Sequence, residues 1–332
     1  MSITVDAMGG DHAPRAVVAG AAMAVQQGGI AATELVLVGA EPALTPLLKE
    51  MGVEDIQIVH APDVVGMDES PAAAVRGKPG SSISVGIRHV AEGGGGAFVS
   101  AGNTGAVVAA ASLVLGRLAG IARPGIAVPI PTREGPCIVI DAGANIYCKP
   151  KHLLQYAIMA GEYATSVLGK DQPRIGLLNI GEEDGKGNPL IKEVHGLLQG
   201  APIEYSGFIE GQDITNGKVD VVVCEGFVGN VILKVAEGMA SFVTQAVQSA
   251  FAVHPPRDEV KAALTDAFSK LDYAEYGGAP LLGVTAPVLI GHGRSSPHAI
   301  MNMIRAAQSA LQHDVNRHIM ERLRGVTGGA GS

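Results

Sequence analysis

Short β-branched runs alternate with longer alanine- and leucine-rich stretches along almost the whole chain. The apolar runs at 3–6, 34–39, 56–60, 97–100, 127–130 and 137–141 read as strands, as do those at 174–180, 203–205, 219–224 and 288–291. Several end in Gly or Asp, the habit of strands buried in α/β sheets. Between them the apolar positions recur at helical period, which predicts helices over 14–26, 81–92, 105–115, 150–168, 189–198, 230–251, 258–271 and 297–323. Strands and helices that alternate in this way predict an α/β fold of three layers, α/β/α. No low-complexity linker divides the chain, and the Gly93–Gly96 run is a turn before a strand. Residues 1–324 therefore read as a single unit with room for two intertwined subdomains, and 325–332 as a disordered tail.

Composition changes this picture little. Of 332 residues 47% are hydrophobic and 4% aromatic, with no Trp, so the core must be aliphatic. The 45 glycines suit a fold with many tight strand-to-helix turns. A formal net charge of −8 argues against a nucleic-acid partner. Cys137, Cys148 and Cys224 have no zinc-type spacing and read as reduced thiols of a cytosolic protein. "SITVDAMGG" follows Met1 directly, without the basic and apolar regions of a secretory signal. Charges or polar residues interrupt each apolar stretch before it could span a bilayer.

The chemistry concentrates where strands end. In open α/β sheets ligands sit outside the carboxyl ends of the strands. "VDAMGGDHAP" delivers Asp6, two glycines, Asp11 and His12, with Asp11 placed as a helix cap and Pro14 in the first turn. "SAGNTGA" puts Gly102, Asn103, Thr104 and Gly105 between a strand and a helix whose free N–H groups and dipole favour an anion. "EGFVGNVILK" repeats that design before the helix of Asn230. "LLNIGEEDGKGNP" supplies Asn179, Lys186 and the acidic trio Glu182, Glu183 and Asp184. "DAGAN" adds Asp141 and Asn145, and "IGHGRSSP" adds His292 and Arg294. So many polar strand-end junctions are best explained by one shared anionic pocket.

Other chemistries lack support. The acidic trio has no convergent carboxylates elsewhere, so a solvated loop is the better reading and no metal site is expected. No serine sits in a G-x-S-x-G elbow, and Cys224 is a weak candidate nucleophile. Neither a G-x-G-x-x-G with a distal acid nor a Walker pattern appears, which leaves a nicotinamide or nucleotide cofactor unsupported. No cofactor is expected.

The motifs "VDAMGGDHAP", "SAGNTGA", "DAGAN", "LLNIGEEDGKGN", "EGFVGN", "YGGAPLLGV" and "IGHGRS" resemble, in order, those of the bacterial phosphate acyltransferases called the PlsX family. The resemblance runs from residue 3 to about residue 320. It implies transfer of a long-chain acyl group from acyl carrier protein to inorganic phosphate, giving acyl phosphate for phospholipid synthesis. It also implies a homodimer with an isocitrate and isopropylmalate dehydrogenase-like fold, cytoplasmic and peripherally bound to the membrane. Carried over by position, Lys186 and Asn230 fall at the reacting centre. Asn103, Thr104, Asp141, Asn145 and His292 fall in motifs lining the same cleft. Glu225 stands where the family commonly has Asp.

On this reading the Gly102–Gly105 junction cradles phosphate, which attacks the thioester directly. Lys186, Asn230 and backbone N–H groups hold the phosphate and the oxyanion, and His12 or His292 protonates the thiolate or bonds phosphate. The apolar positions near the end of the helix at 230–251 are core, dimer interface, or a tip that places Val247, Phe251 and Val253 in lipid. Arg257 with Lys261, or Lys149 with Lys151, could dock an acidic carrier protein. Competing readings are a phosphotransacetylase-type enzyme using coenzyme A thioesters, a scaffold without catalysis, and a dehydrogenase.

Overall fold

The computed structural model describes residues 1–253, 255–269 and 276–328. One sheet of eleven strands runs through it in the order β3-β2-β1-β4-β11-β10-β5-β6-β9-β7-β8. These strands are β1 (Ile3–Asp6), β2 (Leu35–Gly39), β3 (Gln57–His60), β4 (Ala97–Ser100), β5 (Gly125–Thr132) and β6 (Gly135–Ile140). Then follow β7 (Ile175–Leu178), β8 (Tyr205–Ile209), β9 (Val221–Val223), β10 (Ala279–Leu282) and β11 (Val288–Ile290). The sheet is mixed: β10 is antiparallel to both β11 and β5, and β5 to β6, while the remaining pairs are parallel.

Twelve helices accompany the strands among the described residues: α1 (Arg15–Gln26), α2 (Glu41–Met51), α3 (Pro71–Gly77), α4 (Ser82–Ala91), α5 (Thr104–Ala110) and α6 (Pro150–Ser166). The others are α7 (Pro189–Gln199), α8 (Asp213–Asn216), α9 (Gly226–Val253), α10 (Asp258–Ser269), α11 (Pro297–Gln312) and α12 (Val315–Gly328). Two-residue periodicity sorts each strand's side chains between the layers. Val5, Leu37, Val99 and Leu289 pack against α1, α2 and α11, and Ile138, Ile140, Val221 and Val223 continue that face against α6, α7 and α12. Phe98, Ile126, Val128, Val139 and Val222 point the other way, against α4, α5 and α8. The expected α/β/α architecture is what these residues build, around a large mixed sheet.

Several elements depart from the sequence reading. The helix expected at 297–323 breaks after Gln312, where Asp314 takes a positive φ of 46°. Its second half, α12, runs on to Gly328, into the segment expected to be a tail, and 329–332 lie outside the described residues. The last two residues of the helix expected at 258–271 also lie outside them. The strand expected at 203–205 forms instead at Tyr205–Ile209. β10 and the helices α2, α3 and α8 were not expected. Proline at residues 42, 46 and 71 disguised α2 and α3, and β10 is only four residues long.

Candidate active site

The long helix α9 begins four residues before its expected start, and this early start builds the site. Gly226 and Gly229 are buried against the 141–145 loop, where a Cβ at Gly226 would run into the Asn145 carbonyl oxygen and one at Gly229 into that of Asp141. Only glycine lets the helix come so close. The contact sets Asn230 beside Gly143, whose positive φ of 134° turns the loop toward it.

Asp141 braces this arrangement from beneath. It is fully buried, and its Oδ1 accepts the N–H groups of Ile126 (3.0 Å), Gly143 (3.2 Å) and Ala144 (2.9 Å). Its Oδ2 accepts from the Asn145 N–H (2.7 Å) and Nδ2 (3.1 Å). Burial pushes its carboxyl above the ordinary range, against the pull of those bonds. Asn145 Nδ2 also donates to the Pro124 carbonyl (2.7 Å) and the Tyr156 hydroxyl (2.8 Å). Asp141, expected to bind substrate, is therefore a positioning residue that does not line the cleft. A carboxylate facing phosphate would also repel it.

The Gly102–Gly105 junction divides its labour in a similar way. Asn103, only 6% exposed, caps α5 by accepting the Ala106 N–H (3.0 Å). Its Nδ2 donates to the carbonyls of Gly66, Met67 and Glu69, each at 3.1 Å, pinning the loop before α3. Gly102 donates its N–H to Ser100 Oγ, which in turn donates to Asp6 Oδ2 (2.7 Å). Gly105 is small because Pro71 of α3 lies where its Cβ would be. Thr104 and Gly105 line the cleft, while Gly102 and Asn103 support them from behind.

The cleft has a volume of about 800 Å³ and lies between the start of α5 and the α9 segment from Asn230 to Glu237. Thr104, Gly143, Ala144, Asn145, Asn230 and His292 line it, with Asp11 and Arg123, and α9 adds Lys234 and Glu237. His292 Nδ1 accepts the Arg294 N–H at 3.1 Å, so the neutral ring carries its proton on Nε2. Burial holds its pKa below the ordinary 6.5. At neutral pH the His292 ring is thus a neutral hydrogen-bond donor.

The structure does not bring two other expected residues into the cleft wall. His12 is exposed outside it, and the neighbouring Asp11 lines the cleft, its N–H donating to the Gly293 carbonyl (2.7 Å). Asp11 does not cap α1, whose N-cap is Pro14. Lys186 is exposed on the loop between β7 and α7. In that loop Glu182 pairs with Lys218, and among the described residues no group of three or more His, Cys, Asp or Glu could hold a metal ion. Cys224 is buried and its thiol is pushed up by burial, so it stays protonated and unreactive. Arg123, Lys234 and Glu237 were not anticipated. Lys234 follows Asn230 by one helical turn, a spacing that could have identified it.

A family model described as fatty acid synthesis protein matches residues 1–318. A phosphate acyltransferase of Desulfitobacterium hafniense is 47% identical, over 97% of this chain and 98% of its own. One of Heliobacterium modesticaldum is 45% identical, over 98% of each. Among solved structures, a phosphotransacetylase from Streptococcus pyogenes superposes with a TM-score of 0.63 at 18% identity, over 93% of this chain and 94% of that one. A 4-hydroxythreonine-4-phosphate dehydrogenase from Klebsiella pneumoniae gives 0.53 at 14% identity, over 94% of this chain and 99% of that one. At such identities the two structures share the fold with this chain.

Proposed function

This chain belongs to the phosphate acyltransferases of the fatty acid synthesis protein family, and from that premise we propose that it moves a long-chain acyl group from acyl carrier protein to inorganic phosphate. A phosphate oxygen attacks the thioester carbonyl carbon. The new C–O bond forms, the tetrahedral oxyanion collapses, the C–S bond breaks, and the released thiolate takes a proton from water. The product is an acyl phosphate, a precursor for phospholipid synthesis. Phosphate is already a competent nucleophile, so no activated side chain is needed.

The observation that carries this reading is the meeting, on one cleft, of the start of α5 at Thr104 and Gly105 with Asn230 of α9, His292 and Arg123. Helix starts and cations favour an anion there. We assign Asn230, the Gly143 and Ala144 N–H groups and His292 Nε2–H to the phosphate and the oxyanion. Each such donor is worth about 3 kcal/mol in a transition state. Arg123 supplies fixed positive charge. Lys186, exposed between Gly185 and Gly187, is assigned a mobile charge that closes over the cleft when substrate is bound.

The rest of α9 suits assembly. It is the one described helix long and apolar enough to cross a bilayer by length and composition, with a mean hydropathy of 1.3 over 18 residues. Its first turn, however, is anchored against the 141–145 loop. Phe227, Val231, Val235, Met239 and Phe242 follow at helical spacing and are exposed. We assign this stripe to a second copy of the chain. The far end, with Val247 and Phe251 half-buried and Val253 72% exposed, is assigned to shallow contact with lipid. With the family resemblance, we assign the enzyme to the cytoplasm, against the inner face of the membrane.

The test is incubation of the pure protein with palmitoyl acyl carrier protein and phosphate, with palmitoyl coenzyme A in parallel. Acyl phosphate is trapped with hydroxylamine. Phosphate-dependent hydroxamate from the carrier-protein donor is the expected result. Product from coenzyme A alone would reassign the donor, and none from either would overturn the reading.

A further inference from the structure

The cleft extends inward from its polar mouth as an apolar groove that the mouth's chemistry does not use. Ile126 and Val128 of β5, Ala279 of β10 and Ile290 of β11 form its floor. Val108, Ala109, Ser112 and Leu113 form one wall, and Leu233 stands on the α9 side with Lys234 and Glu237. That charged pair bonds to itself, Lys234 Nζ to Glu237 Oε2 at 2.9 Å, with the lysine 55% exposed.

Strand register gives the groove its direction. β5 pairs Ala127 with Ile140 and Val128 with Val139, so Ile126 lies level with Asp141 at the mouth and Val128 lies deeper. α5 starts at the same mouth and runs inward. Thr104, Val108 and Ser112, four residues apart, follow one another along one face and give about 12 Å of wall. At Ala111–Leu115 the helix widens into a π-helical turn, a feature frequent at functional sites. Leu113 is left 67% exposed on the rim.

We propose that this groove is the acyl-chain subsite, with the thioester carbonyl at the mouth, and that Ala109 and Ser112 set the longest chain it accepts. The inference rests on the acyl-transfer reading of the mouth. An acyl chain is the occupant that fits: the groove is continuous with the reacting centre, its floor carries only aliphatic side chains, and its one charged wall pair is self-neutralised. Small residues at 109 and 112 keep the channel open where larger ones would close it.

The experiment measures kcat/KM for hexadecanoyl, dodecanoyl and octanoyl acyl carrier protein with phosphate, in wild type, Ser112→Leu, Ser112→Ala and Ala109→Leu. Each methylene shut out of the groove costs about fourfold. Ser112→Leu is expected to lower the hexadecanoyl-to-octanoyl ratio roughly tenfold or more, and Ser112→Ala to keep it within about twofold. Ala109→Leu, one turn nearer the mouth, is expected to cut the dodecanoyl donor as well. Because a ratio is read within one preparation, loss of folded protein does not imitate the effect. A ratio unchanged in both leucine variants, with wild type active, overturns the groove assignment and leaves the acyl-transfer reading intact. No phosphate-dependent product from wild type with any donor overturns the acyl-transfer reading itself.

Discussion

Asn145 is tied to Asp141 twice, its backbone N–H at 2.7 Å and its side-chain Nδ2 at 3.1 Å both donating to one carboxylate oxygen. With the three N–H groups on the other oxygen, all of the carboxylate's bonds point into the protein. The pair fixes the loop that α9 leans on.

Asp141→Asn replaces an acceptor with an NH₂ group that faces donors. The expected cost is about 3 kcal/mol of stability, the penalty for buried donors left unsatisfied. Chemical denaturation at neutral pH would measure it. The ionised Asp141 is itself disfavoured by burial. Its raised folded pKa means that the stability it contributes is fully present below the ordinary 3.8 and is lost as pH rises through the folded value. Asp141→Asn should therefore remove this part of the pH dependence, and an unchanged profile would show that the carboxylate does not titrate in this way.

Asn230→Ala and Lys186→Ala are each expected to lower kcat by 10²- to 10³-fold with the fold intact, the usual loss of one transition-state donor. Turnover of Lys186→Ala within a few-fold of wild type would instead give the cationic role to Arg123. The double variant with Arg123→Ala measures the coupling between the two.

His292→Gln keeps a side-chain donor but removes the titrating ring. Since the folded pKa lies below 6.5, the unfolded chain binds a proton in that window that the folded chain does not. Stability attributable to His292 is therefore present above 6.5 and is lost as pH falls through the folded value. The variant should flatten this decline in a series of melting curves between pH 7.5 and about 5. It should also retain most activity at neutral pH, where His292 acts as a neutral donor. Loss of activity as large as in His292→Ala would refute that role.

Val235→Asp and Met239→Asp place charge in the middle of the exposed α9 stripe, and sedimentation is expected to show a shift to monomer. Phe251→Asp with Val253→Asp should leave the proposed dimer in place and weaken flotation with anionic vesicles. Flotation that survives the pair would remove the lipid contact from this end of the helix.

The sequence by itself determined the elements that declare themselves locally. Period-two and period-3.6 patterns fixed most strands and helices, and "VDAMGGDHAP", "SAGNTGA" and "EGFVGN" marked the strand ends where the cleft forms. What it did not decide was which polar residue faces the ligand and which faces the protein. Asn103 and Asp141 stand in ligand-type motifs, yet their side chains are taken up by bonds to the protein, and Arg123 carries no local mark but lines the cleft. The extent of α9 was hidden because Gly226 and Gly229 are poor helix formers in isolation. They must be glycine because the 141–145 loop, more than eighty residues earlier, leaves room for no Cβ, and it is this tertiary packing that accompanies their place in the helix. Periodicity is a property of neighbours along the chain, whereas the facing of a side chain depends on what the sheet brings beside it, and only the tertiary structure supplies that.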